Sequence, residues 1–258
     1  MFSQKQLPEA FKLEHGYTIG DVWYPRVTKI ISIKSKPVLY KYYAQVGGYE
    51  NGQRIAEASA KEGTAVHEAV QAIMIGGTPD VPEAIRPSVD AFRQYSKHVA
   101  IATRPEYIER RFLHATHRYA GTIDALAEIN GKFGVLDIKT SQGIYRDYNL
   151  QTAAYMDPLL SEFPNLETRW ILRIDQHQVC SVCQGIRRVK GGRESIKSAS
   201  GKYGLFARCG SHRWLSPVGV VELQEFSDWR DDFATFLAAK KLWEWEHKDM
   251  LVAIGYLS

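Results

Sequence analysis

The chain has 258 residues and only three cysteines, none of them before Cys180. So few thiols, odd in number, exclude the disulfide framework of a small secreted protein and fit a reducing compartment. No apolar run reaches the ~18–20 residues that a membrane-crossing helix needs. The opening residues, Met1 to Glu9, lack the apolar stretch of a secretory signal. A cytoplasmic protein with no membrane partner is therefore expected. No Gly-x-x-x-x-Gly-Lys-(Ser/Thr) phosphate loop is present, so the chain carries no motor of that kind. What is there is ordinary for a globular domain: 45% hydrophobic residues support a proper core, and 24% charged residues argue against wholesale disorder.

The net charge of +4 is a weak hint of a polyanionic partner, and its distribution says more. From Gln176 to Trp214 there are eight Lys and Arg against the single acid Glu194, a net +7, which leaves −3 for the rest of the chain. The acidic part is expected to hold metal and the basic part phosphate, because Lys and Arg contacts to phosphate dominate nucleic-acid affinity. A solvated basic loop is the plainer alternative.

The pattern along the chain predicts one α/β domain spanning residues 1–258, with a central mixed β-sheet flanked by helices and extra helices at the N-terminus. Residues 1–60 form the lead-in, 61–175 the core, 176–214 a basic cysteine-bearing insertion, and 215–258 a closing strand and helix. Within the lead-in, residues 1–26 show no clear periodicity and are expected as strand and loop. A helix beginning at Pro37 follows. Asn51 to Ile75 has helical spacing through Ala65, Val66, Ala69, Val70 and Ile73, with a break expected near Gly63. Pro82 to Ala100 is another expected helix. Strands are expected over Glu106–His114, Tyr119–Ile129 and Phe133–Thr140, the last two joined by the hairpin signal Asn130-Gly131. A helix over Asp147–Leu160, strands over Arg169–Ile174 and Val218–Leu223, and a helix over Asp228–His247 complete the order. The Gly/Ser/Lys-rich segment from Gly191 to Lys202 is expected as a flexible loop.

Chemistry concentrates between Gly121 and Tyr155. Strand side chains alternate, so Asp137 and Lys139 share one face while Leu136 and Ile138 share the other. Asp124 lies across the tight hairpin and can approach Asp137. Two carboxylates a few Å apart repel strongly unless a cation lies between them. Mg2+ takes such hard oxygens, together with waters and substrate phosphate, and can stabilise charge on phosphorus or generate hydroxide. Lys139 is placed to orient the attacking water. Gln151 and Tyr155 are i and i+4 on a helix and so share a face. An Asp-x-Lys triplet alone is common and also fits an edge ion pair; the Gly121-Thr-Ile-Asp124 element on the neighbouring strand separates it from that background.

Four motifs in order, Gly63-Thr-Ala-Val-His67, Gly121-Thr-Ile-Asp124, Asp137-Ile-Lys139 and Gln151-Thr-Ala-Ala-Tyr155, carry a resemblance. In them the chain resembles the RecB-like branch of the PD-(D/E)XK nuclease superfamily, which includes phage-type exonucleases and the mitochondrial genome maintenance exonuclease. The likeness covers about residues 27–175 well. It implies a restriction-endonuclease-like fold and a bacterial or phage-encoded, metal-dependent DNA nuclease. It implies His67, Asp124, Asp137 and the Ile138 carbonyl as ligands of Mg2+ or Mn2+, and Lys139 as the catalytic lysine. Gln151 and Tyr155 would position the lysine, the scissile phosphate or the DNA backbone. Glu68 and Glu109 are secondary candidates, Glu109 as a further metal ligand or as a surface partner of Arg110 or Arg111. Some members hold an iron–sulfur cluster with one cysteine ahead of the His motif; this chain has none there, so that cluster is not expected.

Cys180-Ser-Val-Cys183 and Cys209-Gly-Ser-His212 form a C-x2-C…C-x2-H arrangement suited to a closed structural zinc that staples the basic segment. Three unrelated thiols in a reducing compartment fit the same residues. Arg187, Arg188, Lys190, Arg193, Lys197 and Lys202 are expected to hold DNA, with Tyr203, Phe206 and Trp214 stacking on bases. The expected activity is an exonuclease acting on DNA ends or single strands, with a separate helicase or a recombination or annealing protein as partner. A structure-specific or CRISPR-type endonuclease and a non-catalytic DNA-binding module are the alternatives.

Overall fold

A computed structural model of the chain describes residues 6–34, 37–197 and 209–258. The molecule is α/β, a mixed sheet flanked by helices. The lead-in has helix α1 (Gln6–His15), a hairpin of β1 (Gly16–Ile19) and β2 (Val22–Pro25), a short α2 (Val27–Ile31), α3 (Val38–Gln45) and the long α4 (Tyr49–Met74). Two of these depart from the sequence expectation. Residues expected as strand and loop contain α1, because Phe11 has a core to enter: it is buried against Trp23 and Trp243. Helix α4 runs unbroken through Gly63, where a Cβ would stand 2.9 Å from Thr140 Oγ1. The glycine there marks a close approach of helix to sheet, not a helix stop.

After α5 (Arg86–Tyr95) come the strands β3 (Ile101–Ala102), β4 (Ile108–His114), β5 (Tyr119–Ile129) and β6 (Lys132–Lys139). Asn130 and Gly131 both have positive φ, 54° and 77°, as a two-residue hairpin turn matching strand twist requires. Helix α6 (Asp147–Leu159) then crosses over to β7 (Thr168–Val179), which pairs parallel to β6. A parallel pair needs such a crossover. Strand β10 (Val218–Phe226) runs antiparallel on the other edge of β7, followed by α7 (Arg230–Glu246) and α8 (Lys248–Ala253). The central order is β4-β5-β6-β7-β10, with β3 beside β5.

Alternation along the strands feeds two cores. On one face Leu126 and its cross-strand partner Val135 pack with α2, α6, α7 and α8 residues such as Ile30, Met156, Phe236, Trp243 and Leu251. On the other, Ala125, Leu136, Ile138 and Leu172 pack with Val66 and Val70 of α4 and Phe92 of α5. Helix α4 from one face and α6 from the other both meet β6.

The basic segment is more ordered than its composition predicts. β7 runs on past residue 175 into the expected insertion, and its last residues pair with β8 (Ile186–Lys190), which forms a hairpin with β9 (Arg193–Lys197). Gly191 and Gly192 turn that hairpin at φ 59° and 74°. The expected loop is therefore a strand as far as Lys197; Lys202, Tyr203 and Phe206 lie outside the described residues. Among the described residues no helix is long and apolar enough to cross a membrane.

Candidate active site

Asp124 on β5, Asp137 and Lys139 on β6, His67 on α4 and Gln151 on α6 meet at the end of the sheet. Asp137 is 2% exposed and lies 2.6 Å from Lys139 Nζ through Oδ2. Its Oδ1 accepts a hydrogen bond from Gln151 Nε2 at 3.1 Å. Oδ2 is engaged by the Lys139 ammonium alone. Asp124 Oδ2 accepts the Ile138 N–H at 2.6 Å, so the Ile138 peptide joins the two acids, and Asp124 Oδ1 stands 3.7 Å from His67 Nδ1.

The two acids differ in electrostatics. Burial pushes the Asp137 carboxyl up to about 6; Lys139 opposes this and the Asp124 charge adds to it. Burial pushes Asp124 the same way, but the neighbouring His67, the Lys139 charge and the Ile138 N–H outweigh it and hold Asp124 below the usual range. Burial works against the Lys139 ammonium, and the two carboxylates overcome it, raising its pKa. A negative pair held beside one lysine and one imidazole is a site that still attracts a cation.

Glu109 sits on β4 between the pairs Ile108↔Ala125 and Arg110↔Ile123, opposite Asp124, with a positive φ of 49° that is unusual for a glutamate. Gln71 Nε2 donates to Glu109 Oε1 at 2.7 Å and to the Asp124 carbonyl at 3.2 Å. Glu109 is thus tied into the site through Gln71, rather than to Arg110 or Arg111. Gln71 was not anticipated; its spacing of four from His67 on α4 was the available signal. Tyr148 was also missed: Lys139 Nζ lies 5.0 Å from its ring centre, and it is one turn before Gln151 on α6.

Tyr155 is 2% exposed and accepts a hydrogen bond from Gln151 Nε2 at 2.6 Å. It packs edge-on to Phe112. Gly121 is required there: a Cβ would stand 2.8 Å from Phe112 and 3.2 Å from Tyr155. Of the roles expected for Tyr155, its burial favours positioning within the site over contact with substrate. Its hydroxyl is turned into the core, where it seats Gln151, which in turn seats Asp137.

Cys180, Cys183, Cys209 and His212 come together, their ligand atoms all within 4.8 Å of one another, so this Cys3His cluster could hold a metal ion. Cys183 Sγ is 3.5 Å from His212 Nδ1. The chain returns to this point through backbone bonds: Ser181 N–H to the Arg213 carbonyl at 2.9 Å and Leu215 N–H to the Val179 carbonyl at 3.0 Å. Burial would raise the Cys180 thiol, but backbone N–H groups of Cys183, Val182 and Arg213 and the His212 side chain lower it. Burial and the neighbouring thiols push Cys209 up. Three sulfurs and an imidazole are a donor set for a soft or borderline cation.

The expected DNA-binding residues divide. Arg188 forks onto Asp175 at 2.9 and 2.8 Å and donates to the Thr140 carbonyl at 2.9 Å. Lys190 donates to the Thr140 carbonyl and hydroxyl. Both are turned onto the protein, with their donors on Asp175 and Thr140 and not at the open surface. Arg187 pairs with Glu194 across the hairpin and lies over Trp214. Arg193 stacks on Tyr42 at 4.8 Å, and Lys197 is exposed. A groove of about 870 Å3 opens between α4 and the hairpin tip, lined by Asn51, Arg54, Glu62 and Arg193 among others.

No protein-family model matches the chain, and comparison with curated proteins gives no match.

Proposed function

We propose that the protein is a metal-dependent deoxyribonuclease of the PD-(D/E)XK type, working as an exonuclease on DNA ends or single strands. The observation that carries this is the buried Asp137 carboxylate, ion-paired to Lys139 at 2.6 Å, with Asp124 and His67 beside it. The antiparallel β5–β6 hairpin, the α6 crossover and the parallel β7 support that fold assignment. His67, Asp124 and Asp137 would hold Mg2+ or Mn2+, with Glu109 nearby; the imidazole among hard oxygens suits Mn2+ as well as Mg2+. When bound, the ion supplies charge neutralisation at phosphorus and acidifies a water. Lys139 orients that water and offers its charge to the phosphate oxygens. Gln151 holds Asp137 in place from behind. Arg193 and Arg54 supply cationic surface for a strand along the groove beside α4.

For the Cys3His cluster the proposed ion is zinc, since three sulfurs and one imidazole make a closed tetrahedral set with no room for substrate. A cytoplasmic setting, in a bacterium or a phage-infected cell, and a separate helicase or a recombination or annealing protein as partner belong to the same proposal.

Incubation of linear single- and double-stranded DNA with the protein and Mn2+ or Mg2+ tests it. Degradation is expected, with closed circular DNA left intact. Lys139→Ala should lower the rate by at least about 1,000-fold while DNA retention in a gel-shift assay persists. Equal digestion by wild type and variant would refute the site. Cutting of closed circles would favour an endonuclease, and tight binding without any cutting a DNA-binding module.

A further inference from the structure

The β8–β9 hairpin is fastened at both ends, and the far end touches the catalytic strand. At its base the Cys3His cluster joins the start of the arm, Cys180 and Cys183, to the returning chain at Cys209 and His212. At its tip Gly191 is pressed against α4: a Cβ there would fall on Ser59 Oγ and the Ile55 carbonyl, and φ is 59°. The Gly191 N–H donates to Glu62 Oε1 at 2.9 Å. Between these anchors Arg188 and Lys190 both donate to the carbonyl of Thr140, the residue after Lys139, and Lys190 also to its hydroxyl. Asp175 on β7 fixes the Arg188 fork from the other side. Thr140 is the point at which β6 ends and the chain leaves the sheet. It has left the β6–β7 ladder, whose last pair is Lys139↔Arg173, so the two arm cations replace the missing sheet partner.

We infer that Arg188 and Lys190 are positioning residues that hold the end of the catalytic strand through Thr140, and that zinc in the Cys3His cluster is the base anchor of the arm that carries them. The inference rests on the nuclease proposal for its kinetic consequence, but not for its structural one. An arm anchored at one end only would swing about its turn; the second anchor makes the position of Lys139 depend on the metal cluster. Groups that orient catalytic ligands from behind commonly change rates by about 10–100-fold when removed.

Metal analysis of the purified protein, hydrogen exchange resolved to residues 138–141, and steady-state kinetics on linear DNA with saturating Mn2+ test this together. About one zinc per chain is expected, lost in Cys183→Ser and after treatment of the wild type with a zinc chelator, and regained on adding zinc back. Faster exchange confined to residues 138–141 and the hairpin is expected in Lys190→Met, in Cys183→Ser and in the chelated wild type. Expected with it is a kcat loss of about tenfold or more at a KM changed by less than about threefold. Lys190→Arg, which keeps the cationic donor, should recover much of both. Zinc well below one per chain would overturn the anchor. Unchanged exchange at residues 138–141 in Lys190→Met would overturn the positioning role, whether or not DNA is cut. If the wild type degrades no DNA, the nuclease proposal fails alone, and the zinc and exchange results still decide the arm.

Discussion

Two buried ion pairs lie on neighbouring strands of this sheet and are built to opposite ends. Arg169, at the start of β7, is 1% exposed and meets Asp232 of α7. Its guanidinium also donates to the carbonyls of Phe226, Asn149 and Asp228 and to Thr152 Oγ1, so all three nitrogens are used. Asp137 and Lys139 are comparably hidden, yet the carboxyl pKa is raised to about 6 and, among the described residues, the ammonium is ion-paired to Asp137 alone. The first pair is closed: it ties α6, β10 and α7 to the sheet and has nothing left to bind. The second is open: its charges are neither fully solvated nor fully bonded. A buried charge with every donor satisfied is structural. A buried charge held short of satisfaction is where chemistry can enter.

The sharpest way to break the comparison is to remove each cation. Arg169→Met should cost about 3–5 kcal/mol of stability, because it strands buried carbonyls of three elements as well as Asp232. Urea unfolding reads this directly. Lys139→Ala should cost well under half as much, since Asp137 can take up a proton when its partner leaves. Equal losses would mean that the Asp137–Lys139 pair is a structural strut like the other.

A smaller effect separates the two acids within the open site. Asp137 binds its proton near pH 6, whereas Asp124 is held ionised below the usual carboxylate range. A metal ion must therefore displace one proton below pH 6 and none well above it. Affinity for Mn2+ should be flat above about pH 7 and fall about tenfold per pH unit below 6, or ~1.4 kcal/mol per unit. Calorimetric titration of the wild type and of Asp137→Asn, in which that proton is absent, measures this as the difference between the two slopes. A difference of two protons would show that both acids titrate together and that the asymmetry is wrong.

Much of the open site was legible because local rules produce it. Strand alternation puts Asp137 beside Lys139, Asn130-Gly131 closes the hairpin that brings Asp124 over, and helical spacing aligns Gln151 with Tyr155. The closed pair was not legible. Arg169 sits at the start of an expected strand, and its partners lie 17 to 63 residues away, reached only through the crossover and the closing helix. The arm failed for a different reason. Its Gly, Ser and Lys content describes a loop, but pairing with the end of β7 and docking of Gly191 on α4 impose a strand that composition does not encode. Arg188 and Lys190 looked like phosphate ligands for the same reason: charge was visible in the sequence, and the carbonyl of Thr140 that uses it was not.

Tyr155 marks where the open site passes into closed structure, and its removal should have the smallest effect. Its hydroxyl accepts from Gln151 Nε2, which donates separately to Asp137 Oδ1. Tyr155→Phe keeps the ring against Phe112 and deletes only the first of these bonds. The expected cost is about 0.5–1.5 kcal/mol of stability by urea unfolding, the ordinary worth of one buried hydrogen bond. Gln151 retains its bond to Asp137, so DNA degradation should fall by less than about tenfold, far less than for Lys139→Ala. A loss as deep as that of the lysine variant would mean that the tyrosine hydroxyl reaches the substrate, and that the boundary between bonded core and reactive edge lies one helical turn further in than its burial indicates.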